Sequence, residues 1–345
     1  MRAAAVTILA LLMAPVPRAD AGPALLFDAS NGQVLYAEDP DDSWYPASLT
    51  KIMTAYVAFE AVKTGKLTLD QKIPVSEAAN LEPPSKVGLP AGGELQVDLA
   101  LQALIVKSAN DVAVMLAEAI SGTVPQFVNK MNETAQRLGM TKTHFVNPNG
   151  LPAPDQSTSA RDLAKLTRAV IKEYPEYARY WGMPDMHIGK IRLQTHNALL
   201  KTFEGADGFK TGFTCDSGYN VVASATRDNR RLVAVVLGEP DGQSRAIRAA
   251  SLLEHGFNMQ GWKTLFNSTT IDNMSMTKDT KSLVSMKTAV LAWSCGYRPK
   301  RVHVVKKTNK LGEMKDKVAA VKAKAKAGQS QAAAAKPAPP VAAGN

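Results

Sequence analysis

Apolar and polar positions alternate or recur along most of this chain, and the period changes from one stretch to the next. Residues 3–16 form an apolar run after Arg2, interrupted by Pro15 and followed by the small-x-small triplet Ala19-Asp20-Ala21. That order is expected of a cleaved secretory leader, and the run is shorter than the ~20 residues a membrane-spanning anchor needs. Pro23 to Phe27 and Gln33 to Ala37 are β-compatible segments around Asn31-Gly32, which predicts a hairpin with both turn residues at positive φ. After Pro46, Ile52, Met53, Tyr56, Phe59 and Val62 recur at three- and four-residue steps until Gly65, a helix. Further helices are predicted over Asp98 to Val106, Asp111 to Ile120, Val124 to Leu138 and Ser159 to Glu173.

The period shortens after Gly205. Asn220 to Ala225 and Arg231 to Leu237 flank the polar turn Arg227 to Arg230 as a second antiparallel hairpin, and Arg245 to Phe257 reads as a closing helix. Strands at both ends with helices between them predict an α+β fold. Both chain ends would build an antiparallel sheet flanked by helices, with a helical lobe inserted. The expected division is a leader over 1–21, a catalytic domain over 22–260, a small irregular extension over 261–310 and a tail over 311–345. Short β-compatible pieces, Thr288 to Trp293 and Arg301 to Val305, fall in the extension. The Lys/Ala/Pro composition of the tail cannot bury enough apolar surface to order itself.

Charge changes the picture only once it is located. The net charge is +10, and residues 298–345 alone hold twelve Lys/Arg against two Asp/Glu, leaving the body close to neutral. A nucleic-acid groove would place basic charge on the folded domain, so that class is excluded. The five histidines lack ligand spacing, and neither metal nor cofactor is expected. Cys215 and Cys295 are too few for a disulfide framework and are read equally well as a pair or as two thiols.

Three short segments carry candidate chemistry: Ser48-Leu-Thr-Lys51, Ser108-Ala-Asn110 and Lys210-Thr211-Gly212. A spacing of three at a helix start puts Ser48 and Lys51 on one face, beside unpaired backbone N–H groups. A serine hydroxyl needs a base, and lysine serves only if burial or nearby positive charge lowers its proton affinity. Lys210 supplies such a charge. With Thr211 it also suits a substrate carboxylate, while Gly212 lets backbone approach closely. Each motif alone is common by chance, and Ser108 could simply cap the next helix. Their joint occurrence in this order is the signature of penicillin-binding proteins and serine β-lactamases.

From Pro23 to Phe257 the chain resembles the low-molecular-mass D-alanyl-D-alanine carboxypeptidases. The likeness extends over Tyr45 to Thr54, Ser108 to Asp111, Phe145 to Leu151 and Lys210 to Thr214 with Gly218 to Asn220. The resemblance implies Ser48 as acylated nucleophile, Lys51 as its base, and Ser108 and Asn110 as proton relay and positioning groups. Lys210 and Thr211 become carboxylate binders, and the N–H groups of Ser48 and Phe213 the oxyanion hole. The implied substrate is the peptidoglycan stem peptide, with β-lactams as covalent inhibitors of an exported, periplasmic or wall-associated monomer. No Glu-x-x-x-Asn segment follows Ser108-Ala-Asn110, which argues against efficient antibiotic hydrolysis. The absence of a glycosyltransferase-like region before the domain favours a carboxypeptidase over the related endopeptidase and β-lactamase activities. A non-catalytic wall-binding or penicillin-sensing protein is the alternative of another class. The tail is either simply solvated or a weak electrostatic attachment to anionic membrane or wall.

Overall fold

The computed structural model describes residues 22–259, 268–287, 290 and 295. The leader, the predicted strands over 288–293 and 301–305 and the basic tail lie outside them. Its centre is a five-stranded antiparallel sheet of β1 (Ala24–Asp28), β2 (Val34–Glu38), β7 (Ala206–Thr214), β8 (Gly218–Arg227) and β9 (Arg230–Glu239), in the order β2-β1-β9-β8-β7. The first and last strands of the described body pair there, with Leu25 opposite Val235. Both faces are covered, so these strands bury on both sides. Leu25, Phe27, Val222, Val233 and Val235 face the helical lobe, while Leu26, Val221, Ala223, Leu232 and Val236 face α8 (Gly242–Asn258). Gly256 lets α8 settle onto the sheet, because a Cβ there would lie 2.7 Å from Leu232.

The lobe between β2 and β7 is helical, as the periodicity predicts. Its hub is α1 (Thr50–Lys63), buried on every side except near its C-terminus. Around it lie α2 (Glu77–Leu81), α3 (Val97–Gln102), α4 (Asn110–Ser121), α5 (Val124–Arg137) and α6 (Ala160–Glu173). Ser76, Thr123 and Ser159 cap α2, α5 and α6 by accepting from backbone N–H groups three residues on. Two ribbons, β3 (Lys72–Pro74) with β4 (Glu94–Gln96) and β5 (Asp185–Ile188) with β6 (Ile191–Gln194), and the single turn α7 (Leu199–Thr202) complete the order. These short elements, and α2, carry too few residues for a periodic signal.

Several expectations change in detail. Only Gly32 of the Asn31-Gly32 pair takes positive φ, since the first connection spans residues 29–33 and the Asp28 carboxylate accepts from Ser30 N at 3.0 Å. The two-residue turn with both φ positive occurs at Asp228-Asn229, between the paired Arg227 and Arg230. The helix predicted to Val106 leaves α geometry after Gln102 and widens into a π turn over Ala103–Lys107. Cys215 and Cys295, left open by the sequence, are joined with their Cα atoms 5.5 Å apart. Residues 268–287 lie against the body: Val34 N donates to the Thr269 carbonyl and Ile271 N to that of Gly32, both at 2.9 Å. The buried Arg161–Asp41 ion pair also gathers Ser275 and Thr277 from that segment.

Candidate active site

The turn before α1 is held from several directions. Ala47 takes φ of 48°, a left-handed conformation costly for a residue with a Cβ, and Ser48 follows in a single 3-10 turn over Ala47–Leu49. The fully buried Asn220 side chain donates to the Tyr45 carbonyl at 3.0 Å and accepts from Gly238 N at 2.9 Å, tying this turn to β8 and β9. Two glycines press on it. A Cβ on Gly212 of β7 would lie 3.1 Å from Ser48 N, and one on Gly150 would lie 1.9 Å from the Ala47 carbonyl oxygen.

Lys51 sits in the first turn of α1 and is fully buried. Its amine reaches Ser48 Oγ at 3.1 Å and Asn110 Oδ1 at 2.8 Å, and it donates to the Asn149 carbonyl. Burial, and then the nearby charge of Lys210, hold its pKa well below the usual lysine range. Across the cleft the π turn ends at Ser108, whose φ of 61° aims its hydroxyl at β7. Lys210 Nζ donates to Ser108 Oγ at 2.8 Å and to the Thr211 carbonyl at 3.0 Å. Lys210 is 2% exposed, and burial, with Arg245 as a second cause, pushes its pKa down to about 7. Two like charges buried in one cleft cannot both be held cheaply, and the amine beside Ser48 is the one that the Lys210 charge disfavours.

These residues surround a cleft of about 400 Å³. Ser48, Ser108, Asn110, Thr211, Gly212 and Phe213 line it, and Lys51 and Lys210 reach its serines from behind. Sequence reasoning missed others. Asn149, His196, Tyr219 and Arg245 also face the cleft. Arg245 opens α8, donates to the His196 carbonyl at 3.2 Å and stands over the Tyr219 ring at 5.7 Å, its pKa lowered to about 10 by burial. A lone arginine at a helix start carries no sequence signal. Asn149 lies within the segment quoted for its resemblance, but nothing local shows that its carbonyl meets Lys51.

A family model described as D-alanyl-D-alanine carboxypeptidase matches residues 12–241. The chain belongs to this family. Among relatives of the D-alanyl-D-alanine carboxypeptidase family, one from Haemophilus influenzae is 40% identical over 256 residues, covering 72% of this chain and 65% of that protein. The chain thus spans a little under two thirds of that relative's length. The solved structure of penicillin binding protein 5 from Haemophilus influenzae aligns at a TM-score of 0.67 with 39% identity, over 71% of this chain and 72% of that one. Penicillin-binding protein D2 from Listeria monocytogenes, solved with cefotaxime bound, aligns at 0.63 with 32% identity, over 69% of this chain and 97% of that one. The family match spans the sheet and helical lobe described above, and the mixed fold predicted from the sequence is that of the carboxypeptidase family. Among the described residues no helix is long and apolar enough to cross a membrane.

Proposed function

We propose that this protein is a serine-type D-alanyl-D-alanine carboxypeptidase that removes the terminal D-Ala from peptidoglycan pentapeptide stems. The observation that carries this is the buried Lys51 amine, 3.1 Å from Ser48 Oγ and held low in proton affinity by burial and by Lys210. Neutral Lys51 takes the Ser48 proton as Oγ attacks the carbonyl of the penultimate residue. The N–H groups of Ser48 and Phe213 receive the oxyanion, supported by the close approach of Gly212 to Ser48 N. The proton returns through Lys51 and Ser108 to the departing D-Ala amine, leaving an ester on Ser48 that water cleaves. Protonated Lys210, Thr211 and the cleft-facing Arg245 offer the free C-terminal carboxylate charge-assisted hydrogen bonds. Asn110 steadies Lys51 and the substrate amide.

The same serine takes the strained carbonyl of a β-lactam. Benzylpenicillin is therefore expected to add one acyl group, mapped to Ser48, and Ser48→Ala to abolish both that adduct and D-Ala release from a defined pentapeptide. An unlabelled Ser48 in the intact protein would revive the non-catalytic wall-binding reading. Cleavage of a cross-linked dimer in preference to the pentapeptide would mark an endopeptidase. Export by the 1–21 leader, a periplasmic or wall-associated location, a monomeric state and the division into a 22–260 catalytic domain, a 261–310 extension and a 311–345 tail belong to the same proposal. Weak attachment of the lysine-rich tail to anionic membrane or wall is tested by fractionation at low salt after truncation at Thr308.

A further inference from the structure

Two of the three acceptors around the Lys51 amine are themselves held by one short loop. Residues 82–85, which follow α2, receive both arms of Asn110: its side-chain amide donates to the Pro83 carbonyl at 2.8 Å and its backbone N–H to the Ser85 carbonyl at 2.7 Å. Ser85 Oγ donates to the Lys107 carbonyl at 2.8 Å, just before Ser108. The third anchor differs in kind. Asn149, whose carbonyl seats Lys51, donates its side-chain amide to Glu82 Oε2 at 3.0 Å. Glu82 is thus the charged member of this outer cage, and the acyl-transfer reading leaves it unused.

Glu82 is half-buried, and no cation pairs with it within ion-pair distance among the described residues. The charged groups that face it are Lys51 on α1, Asp111 on α4 and Lys86 on its own loop. Lys86 is turned back to the Asn80 carbonyl at 2.8 Å, and Asp111 accepts from Val87 N and Gly88 N. Lys51 therefore lies between opposed fields: Lys210 disfavours a proton on its amine, while Glu82 and Asp111 favour one.

Resting on that acyl-transfer reading, we propose that Glu82 is a positioning residue of the reaction: it fixes Asn149 so that the Asn149 carbonyl seats the Lys51 amine, and its negative charge opposes Lys210 at that amine. The physical logic is a balance. Lysine with too little proton affinity is a poor acceptor for a serine proton, and lysine with too much stays charged and cannot accept it. Burial and Lys210 both push one way, and a carboxylate on the outer side of the cage pushes back. Burial raises the Glu82 carboxyl's own pKa, and the Asn149 amide acts against that rise by donating to the ionised form.

The test is the pH dependence of second-order acylation by benzylpenicillin, with the Ser48 adduct followed by intact mass in the full-length protein. Glu82→Gln keeps an oxygen for Asn149 and removes the charge. Its acid limb is expected to move to lower pH, so that it acylates a few-fold faster than wild type below the wild-type limb. Glu82→Ala also frees Asn149 and is expected to lower the alkaline plateau as well. Glu82→Asp restores the charge and is expected to bring the limb back. A purely structural role would lower melting temperature and plateau in all three while leaving the limb in place, and that result overturns the proposal. Should Glu82→Gln not fold, Glu82→Ala carries the test with Glu82→Asp as its control: a limb moved to lower pH in Glu82→Ala and kept in place in Glu82→Asp supports the proposal, and a limb in place in both overturns it. If wild type itself forms no adduct at Ser48, the acyl-transfer reading falls and this inference with it. Labelled wild type with coincident limbs in Glu82→Gln removes this inference only.

Discussion

Replacing Lys210 by methionine should make the protein more stable and nearly inactive, and the size of the first effect follows from its burial. The side chain is 2% exposed and its pKa falls from 10.5 to about 7. At ~1.4 kcal/mol per pH unit, that gap corresponds to about 5 kcal/mol of destabilisation well below pH 7 and about 4 kcal/mol near pH 7. Methionine fills a similar volume without the charge, but it leaves Ser108 Oγ and the Thr211 carbonyl without their donor. Those losses return roughly 1–3 kcal/mol, so a net gain of about 2 kcal/mol is expected near neutrality. The sign of the pH dependence is fixed. Because the folded pKa lies below the unfolded one, the unfolded chain binds more protons between about pH 7 and 10.5, and wild-type stability rises across that window. The variant lacks this rise, so its advantage shrinks with pH and disappears towards the upper end. Denaturant unfolding of both proteins across that window reads the difference directly. A stability difference that stays flat would refute the buried-ammonium argument. Penicillin acylation of the variant should fall about 10–100-fold, the cost of a lost charge-assisted hydrogen bond.

Gly212→Ala places a methyl group 3.1 Å from both Ser48 N and the Pro46 carbonyl oxygen, so β7 must retreat from the nucleophile turn. Acylation is expected to drop by about 10-fold or more while stability falls by only about 1–3 kcal/mol, and wild-type acylation rates in that variant would show that the approach is not needed. Replacing both Cys215 and Cys295 by alanine opens a loop closed across a separation of 80 residues. Chain-entropy arguments put the loss at about 4 kcal/mol, read from the denaturation midpoint, and no change would mean that the bridge constrains nothing in the unfolded chain.

The legible parts of this protein are those whose signal is local and repeated. α1, α4, α5 and α6 announce themselves because their apolar positions recur over three or more turns against one core. β8 and β9 are readable because both faces of the sheet are covered, which turns each into a long run of Val, Ala and Leu. The π turn before Ser108 is invisible in the same terms. Residues 98–106 keep a helical apolar pattern, and nothing in that pattern marks Gln102 as the place where α geometry gives way. The first turn departs from the expected geometry for a related reason: Asn31-Gly32 permits two positive φ angles, but the connection is longer and the Asp28 side chain accepts from Ser30 N within it.

For the site, the residue types and their order along the chain were enough to single out Ser48, Lys51, Ser108, Asn110 and the Lys210 to Gly212 run, and the family resemblance added Phe213. What chemistry those residues can perform was not contained in that order. Lysine is an ordinary charged amine until burial strips its water and a second lysine stands nearby, and both conditions depend on segments 59 to 159 residues away. The sequence by itself therefore determined the longer helices and the paired strands, that early and late segments of the body share one sheet, and which side chains could react. Only the tertiary structure decided that Asn149 seats the Lys51 amine, that Arg245 faces the cleft, and that Cys215 reaches Cys295. Solvation and charge act through space, so no pattern read along one strand of chain could record them.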